Sequence, residues 1–133
     1  IQMKTFFMIK PDGVKRNIIG DVINRVERKD FVITKMKMMQ ITPELAEKHY
    51  GEHSEKPFFN DLVNFITSGP VVAMEVEGEN AVLAIRELMG ATNPADADPG
   101  TIRGDLASKL EENVVHGSDS EESADRELGL FFN

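Results

Sequence analysis

A histidine stands at position 116 within Asn113-Val114-Val115-His116-Gly117-Ser118-Asp119-Ser120. Two β-branched residues lead into it and Gly-Ser-Asp-Ser follows at once. That pattern predicts a short buried strand whose end emerges at a surface and turns directly into a helix. A histidine at such a junction has one side held by structure and the other open to a ligand. The ordinary imidazole pKa of about 6.5 leaves one ring nitrogen with a free lone pair at neutral pH. Two readings are open: a satisfied strand-end histidine, or a nucleophile that accepts a phosphoryl group. The second needs a partner on the other ring nitrogen to fix the tautomer. Glu127, in the helix that follows, is the available carboxylate, and Ser118 can relay between the two or cap the turn.

Phosphate chemistry requires local positive charge in a chain that is acidic as a whole. Lys plus Arg total 15 against 23 Asp plus Glu, for a net charge of −8. That balance argues against nucleic acid as a partner, because nonspecific binding depends on neutralising phosphates. The candidates for a basic pocket are Lys10, Lys15, Arg86 and Arg103. Lys10 ends an apolar run stopped by Pro11-Asp12-Gly13, and reads either as a solvated strand end or as a lysine aimed into a site. No G-x-x-x-x-G-K-[ST] or G-x-G-x-x-G loop is present, so phosphates would be gripped by side chains from separate elements. His49-Tyr50-Gly51-Glu52-His53 matches the letters H-x-x-E-H, but Gly51 sits where a helix cap belongs. The match reads as accidental.

The elements that must position these groups follow from periodicity. Lys4 to Lys10 is a strand, followed by a turn at Pro11-Asp12-Gly13. Ile19, Val22, Ile23 and Val26 mark a helix over Ile19 to Lys29. Phe31 to Gln40 is extended, with Val32, Thr34, Met36 and Met38 predicted to share a core face. Thr42-Pro43 opens a short helix, with Thr as N-cap. A further helix starts at Lys56-Pro57, with Phe59, Leu62, Val63 and Ile66 as its buried stripe and Phe58 off it. Val71 to Val76 is the candidate central strand. Asn80 is placed to cap a helix that ends at Gly90, with Arg86 on its flank. A loop from Ala91 to Gly100, a helical turn at Thr101 to Asp105, the His116 strand and a helix from about Glu121 to Gly129 complete the chain. The order is β-α-β-β-α-β with extra helices. It predicts a ferredoxin-like α+β sandwich with a four-stranded antiparallel sheet and helices on one face, as a single domain over 1–133. Cysteine is absent, which excludes disulfides and Cys-based zinc sites. No apolar run approaches a membrane span and no secretory h-region precedes the fold, so a cytoplasmic protein is expected.

The segment Asn113 to Asp119 closely resembles the active-site stretch of nucleoside diphosphate kinases, written N-I/V-I/V-H-G-S-D. Met8-Ile9-Lys10-Pro11-Asp12-Gly13-Val14, Lys56-Pro57-Phe58-Phe59, Ser68-Gly69-Pro70-Val71, Thr92-Asn93-Pro94-Ala95 and Pro99 to Asp105 match that family in order. The resemblance covers nearly the whole chain. It implies that His116 takes the γ-phosphoryl group of a nucleoside triphosphate, mainly ATP, and passes it to a nucleoside diphosphate. This ping-pong transfer would maintain NTP and dNTP pools. It further implies that Lys10, Arg86, Thr92 and Arg103 hold the phosphates, that Tyr50 lines the site, and that Lys10 and Asn113 reach the sugar hydroxyls. Phe58 would stack on the base, with Leu62 and Leu110 helping to enclose it, while Ser118 and Glu127 orient the imidazole. Mg²⁺ would bridge phosphate oxygens, with Asp119 the nearest carboxylate, through water. The resemblance implies a homo-oligomer, a hexamer or a tetramer built from dimers.

Three departures from the family pattern stand out. Glu111-Glu112 replaces a common Gly-Arg and is expected to face solvent. Asp30 stands where glycine is common, with strain expected in the turn into the second strand. Asn133 is reached without the tail that joins oligomer contacts in many members, which leaves the assembly open. Two other readings are weighed beside the kinase: a catalytically silent nucleotide-binding module on the same fold, and a zinc hydrolase built on His49, Glu52 and His53.

Overall fold

Phe6, Phe7, Met8 and Ile9 are consecutive and all fully buried. A strand achieves that only when both of its faces are covered, since successive side chains point to opposite sides. The computed structural model describes residues 1–133. The first strand, β1 (Gln2–Ile9), lies inside a four-stranded antiparallel sheet with β2 (Val32–Met39), β3 (Val71–Glu79) and β4 (Val115–Gly117), in the order β2-β3-β1-β4. This is the ferredoxin-like arrangement. Helices α2 (Ile19–Arg28) and α5 (Ala81–Met89) cover one face, where Val22, Val26, Ile85 and Met89 pack on Phe7, Ile9, Val72 and Met74. The extra helices α3 (Pro43–His49), α4 (Phe59–Ile66) and α7 (Glu121–Phe131) cover the other. There Ala46, Val63, Ile66 and Phe131 pack on Phe6, Met8, Val71 and Ala73. Helices therefore lie on both faces rather than one.

Several local expectations are corrected. Pro11-Asp12-Gly13 is not a bare turn but begins a one-turn helix, α1 (Pro11–Lys15), in which Pro stands at a position that needs no amide donor. Helix α7 runs through Gly129 to Phe131, because packing of Phe131 under β1 outweighs the glycine's weak helix propensity. Asn80 takes a left-handed φ of 48° and its side chain does not cap α5. Thr42 and Ser120 do cap, accepting hydrogen bonds from the Leu45 and Ser123 amides at 3.1 and 3.0 Å.

The largest correction concerns β2. Val32, Met36 and Met38 are exposed, not core. A β-bulge at Thr34 inserts one residue between the Ile33–Val76 and Lys35–Glu75 pairs, which breaks the simple alternation. Past the bulge, Met36 and Met38 pair with Met74 and Val72 but lie at the sheet edge, beyond the cover of the helices. Asp30, just before this strand, adopts a φ of 67°, the left-handed conformation for which glycine is the unstrained choice.

Candidate active site

The turn after β1 and the entry to β4 form one clamp. Val114 has a φ of 73°, a strained conformation for a β-branched residue that costs about 1–3 kcal/mol. It is held from both sides: the Lys10 amide donates to the Val114 carbonyl at 2.8 Å, and the Val114 amide donates to Asp12 Oδ2 at 3.0 Å. Gly13 lies directly beneath, where an added Cβ would come within 2.7 Å of Ile9 and 3.3 Å of Val114. Burial raises the Asp12 carboxyl, and the Val114 amide and the nearby Lys10 ammonium oppose that shift. The clamp delivers Asn113 on one side of Val114 and His116 on the other.

His116 sits on β4 opposite Met8 and is half-buried. Its Nε2 lies 2.9 Å from Glu127 Oε1, on α7, and Ser118 Oγ donates to the same oxygen at 2.7 Å. Burial pushes the Glu127 carboxyl up, but the hydrogen bonds from His116 and Ser118 and the His116 charge outweigh it and hold it below the usual value. An ionised carboxylate can only accept, so Nε2 carries a proton, and in the neutral form of the ring the lone pair is on Nδ1. The His49 ring packs edge-on against His116, with centroids 4.8 Å apart. His49 is buried and neither of its nitrogens has a hydrogen-bond partner, an arrangement costing about 1–3 kcal/mol. Burial, followed by the charge of His116, lowers its pKa to about 3, so it stays neutral.

The basic groups converge on the same end of the sheet. Lys10 Nζ donates to Asn113 Oδ1 at 2.8 Å, and Asn113 Nδ2 donates to the Thr92 carbonyl at 2.9 Å. Arg103, on α6 (Ile102–Leu106), is buried and donates to the carbonyls of Asn113, Gly90 and Val115 at 3.2, 3.1 and 2.7 Å. Three of its five N–H groups are thus spent on backbone, and two remain for a ligand. Arg86 is exposed on α5 and reaches the Gly117 carbonyl at 3.4 Å. Burial and the Arg103 charge lower the Lys10 ammonium to about 8, and burial with Arg86 lowers Arg103 to about 10. These cations repel one another, and an anion between them relieves that repulsion. A cavity of about 150 Å³ is lined by Tyr50, Arg86, His116 and Asp119. Burial raises the Tyr50 phenol to about 12, keeping it a hydrogen-bond donor.

Other candidates stand further out. Phe58 is exposed at the start of α4, beside the His53 ring, and Leu62 lies one turn on and half-buried. Leu110 is exposed between α6 and β4, and Lys15 is exposed at the end of α1. Glu111 and Glu112 face solvent, and Glu112 is 3.9 Å from Lys109 rather than turned into the cavity. Glu52 and His53 occupy a separate single turn after α3, so the H-x-x-E-H letters do not share a continuous helix. Two buried groups escaped sequence reasoning. Asp12 was read only as a turn residue, although a carboxylate beside Pro and Gly at a strand end is a signal for an amide clamp. His49 is noticed only through the H-x-x-E-H letters, and its place beside His116 has no local signal, because the two are distant in the chain.

A family model described as "Nucleoside diphosphate kinase" matches residues 3–133. A protein of that name from Exiguobacterium sibiricum is 64% identical over 97% of this chain and 94% of its own length. One from Thermus thermophilus is 60% identical, with the same two coverages. Among solved structures, a halophilic nucleoside diphosphate kinase from Halobacterium salinarum in complex with CDP superposes with a TM-score of 0.96 at 52% identity, covering 100% of this chain and 89% of that one.

Proposed function

The chain belongs to the nucleoside diphosphate kinase family, and from that premise we propose that Nδ1 of His116 is the atom that carries the phosphoryl group. The family activity is transfer of the γ-phosphoryl group from a nucleoside triphosphate to a nucleoside diphosphate, and this chain is a phosphotransferase of that kind. The observation that carries the assignment is the 2.9 Å contact of Nε2 with Glu127, which leaves Nδ1 as the free lone pair. In the first half-reaction an N–P bond forms at Nδ1 as the bond between the γ-phosphorus and its bridging oxygen breaks, and the diphosphate leaves. Glu127 balances the positive charge that develops on the ring. In the second half, a terminal phosphate oxygen of another diphosphate attacks the phosphorus and the N–P bond breaks, restoring His116.

Phosphoryl transfer asks the protein mainly for alignment and charge. Lys10, Arg86, Thr92 and the two free N–H groups of Arg103 grip the phosphates, and Lys10 and Asn113 reach the sugar hydroxyls. Tyr50 closes the side of the cavity next to the imidazole. Phe58 stacks on the base with Leu62 and Leu110 at its edges, a contact that does not read base identity. The Halobacterium salinarum relative was solved with a nucleoside diphosphate, which supports this use of the site. The exposed Asp119 carboxylate suits a water-mediated contact to Mg²⁺, a cation that keeps much of its hydration. When bound with the nucleotide, that ion neutralises phosphate oxygens.

A homo-oligomer, a hexamer or a tetramer of dimers, is part of the same reading. Exposed Val32, Met36 and Met38 on the edge strand β2 support it, since an apolar edge left open invites pairing. The proposed location is the cytoplasm; no helix is long and apolar enough to cross a membrane.

The test is to mix the protein with γ-labelled ATP and Mg²⁺ without acceptor. One acid-labile, base-stable label per chain is expected, released by any nucleoside diphosphate. His116→Ala should lower labelling by at least about 10⁴-fold, and a label that survives this substitution means that another residue is the acceptor.

A further inference from the structure

Phosphoryl transfer makes no use of the two unpartnered nitrogens of His49. We propose that His49, His116 and Glu127 form a site for a transition-metal cation such as Zn²⁺, through which that cation switches the enzyme off. The proposal rests on the reading of His116 as phosphate acceptor. Each of the three residues offers one ligand atom, and all of these atoms lie within 4.8 Å of one another. Two imidazoles and a carboxylate, with a fourth position left to water, are a donor set that zinc accepts. Zinc bonds of about 2.0–2.1 Å place ligand atoms roughly 3.3 Å apart. The His116–Glu127 pair is already within that spacing at 2.9 Å, so the larger movement falls to the His49 ring, which closes a separation of at most 4.8 Å by about 1.5 Å.

The ring makes that approach from a packed position among Phe6, Tyr50, His116 and Phe131. Its nitrogens break no hydrogen bond when they bind a cation, because they make none. The cavity over His116 gives an entry path past Glu52, His53 and Asp119. The donor set also separates metals. Mg²⁺ prefers oxygen ligands in a near-octahedral shell, so the nucleotide's own cation is a poor competitor for two imidazoles. A cation held here takes Nε2 of His116, whose proton shifts to Nδ1, together with the Glu127 oxygen that orients the ring. The arrangement that presents Nδ1 to a phosphate is then lost.

The experiment uses metal-free native protein, titrated with ZnCl₂ alone while the ¹⁵N imidazole resonances of its three histidines are followed. Phosphoenzyme formation from γ-labelled ATP and Mg²⁺ is read at each zinc level. The expected result is one zinc per chain, movement of the His49 and His116 resonances but not those of His53, and loss of label in step with occupancy, reversed by EDTA. His49→Phe keeps a ring against His116 and removes both nitrogens. It should raise the zinc needed for half-occupancy roughly tenfold or more, with labelling compared to that variant's own zinc-free level. His49→Asn serves if the phenylalanine variant does not fold. The proposal is overturned if zinc leaves the His49 resonances in place, if His53 moves instead, or if the His49 variants bind zinc as tightly as the native chain. Failure of the native protein to take label in Mg²⁺ alone sinks the acceptor assignment, whereas the zinc-induced shifts are read without nucleotide.

Discussion

At the phosphate end of the site, His116, Ser118 and Glu127 are joined by hydrogen bonds of 2.9 and 2.7 Å, and Arg103 ties three backbone carbonyls around them. At the proposed base end, Phe58 and Leu110 are 45% and 52% exposed, and no comparable network fixes them. The difference follows the tolerances of the two tasks. In-line transfer between a ring nitrogen and a phosphorus loses rate steeply when atoms are misplaced by about 1 Å. Stacking on a planar base accepts displacement and accepts any base, because every base offers a π-face. On the proposed assignment, the rigid end sets the chemistry and the open end lets different nucleotides use it in turn.

Four experiments press on this contrast. The largest effect is expected for Glu127→Gln, which keeps the shape but removes the charge that orients the ring and balances its positive form. The rate of phosphoenzyme formation should fall roughly 10²-fold with little change in nucleotide affinity. A rate equal to that of the native enzyme would mean that β4 alone holds the ring.

The second concerns pH. Lys10 is lowered to about 8 by burial and by Arg103, so the free enzyme loses that charge as pH rises through 8. kcat/KM should drop about tenfold per pH unit beyond that point. kcat should stay level to higher pH, because bound phosphate favours the charged amine. Parallel alkaline limbs in both parameters would remove Lys10 from phosphate binding.

Third, Phe58→Ala should raise KM about five- to tenfold, the lower end of what stacking contributes at an open rim, while leaving kcat nearly unchanged. A fall in kcat of the same size would show that the base end also aligns the reacting atoms. Smallest of all, Leu110→Ala should alter KM by no more than about twofold, as expected for an exposed side chain with few neighbours. A larger change would show that this loop folds over the nucleotide.

The legibility of the chain was uneven in a way that has a physical cause. Helix α2 could be read from Ile19, Val22, Ile23 and Val26, because a helix buries one stripe whatever it packs against. The strand β2 could not, since its place at the sheet edge, which leaves Val32, Met36 and Met38 exposed, makes no mark on composition. Ser118 and Glu127 were found beside His116 because all three lie within a dozen residues. Asp12 and His49 were missed as partners of Val114 and His116 because those contacts span most of the fold.

By itself the sequence determined the order of the main elements, the helical stripes that form the core, and the local run that places His116 at a strand end before a capped helix. These depend on periodicity and on capping, which act over a few residues. Only the tertiary structure decided that Val114 is held in a left-handed conformation by Lys10 and Asp12, that three of the N–H groups of Arg103 serve backbone, and that His49 sits unpartnered against His116. Each of these depends on where the sheet brings β1, β4, α3 and α6 together, a long-range outcome that no local pattern encodes.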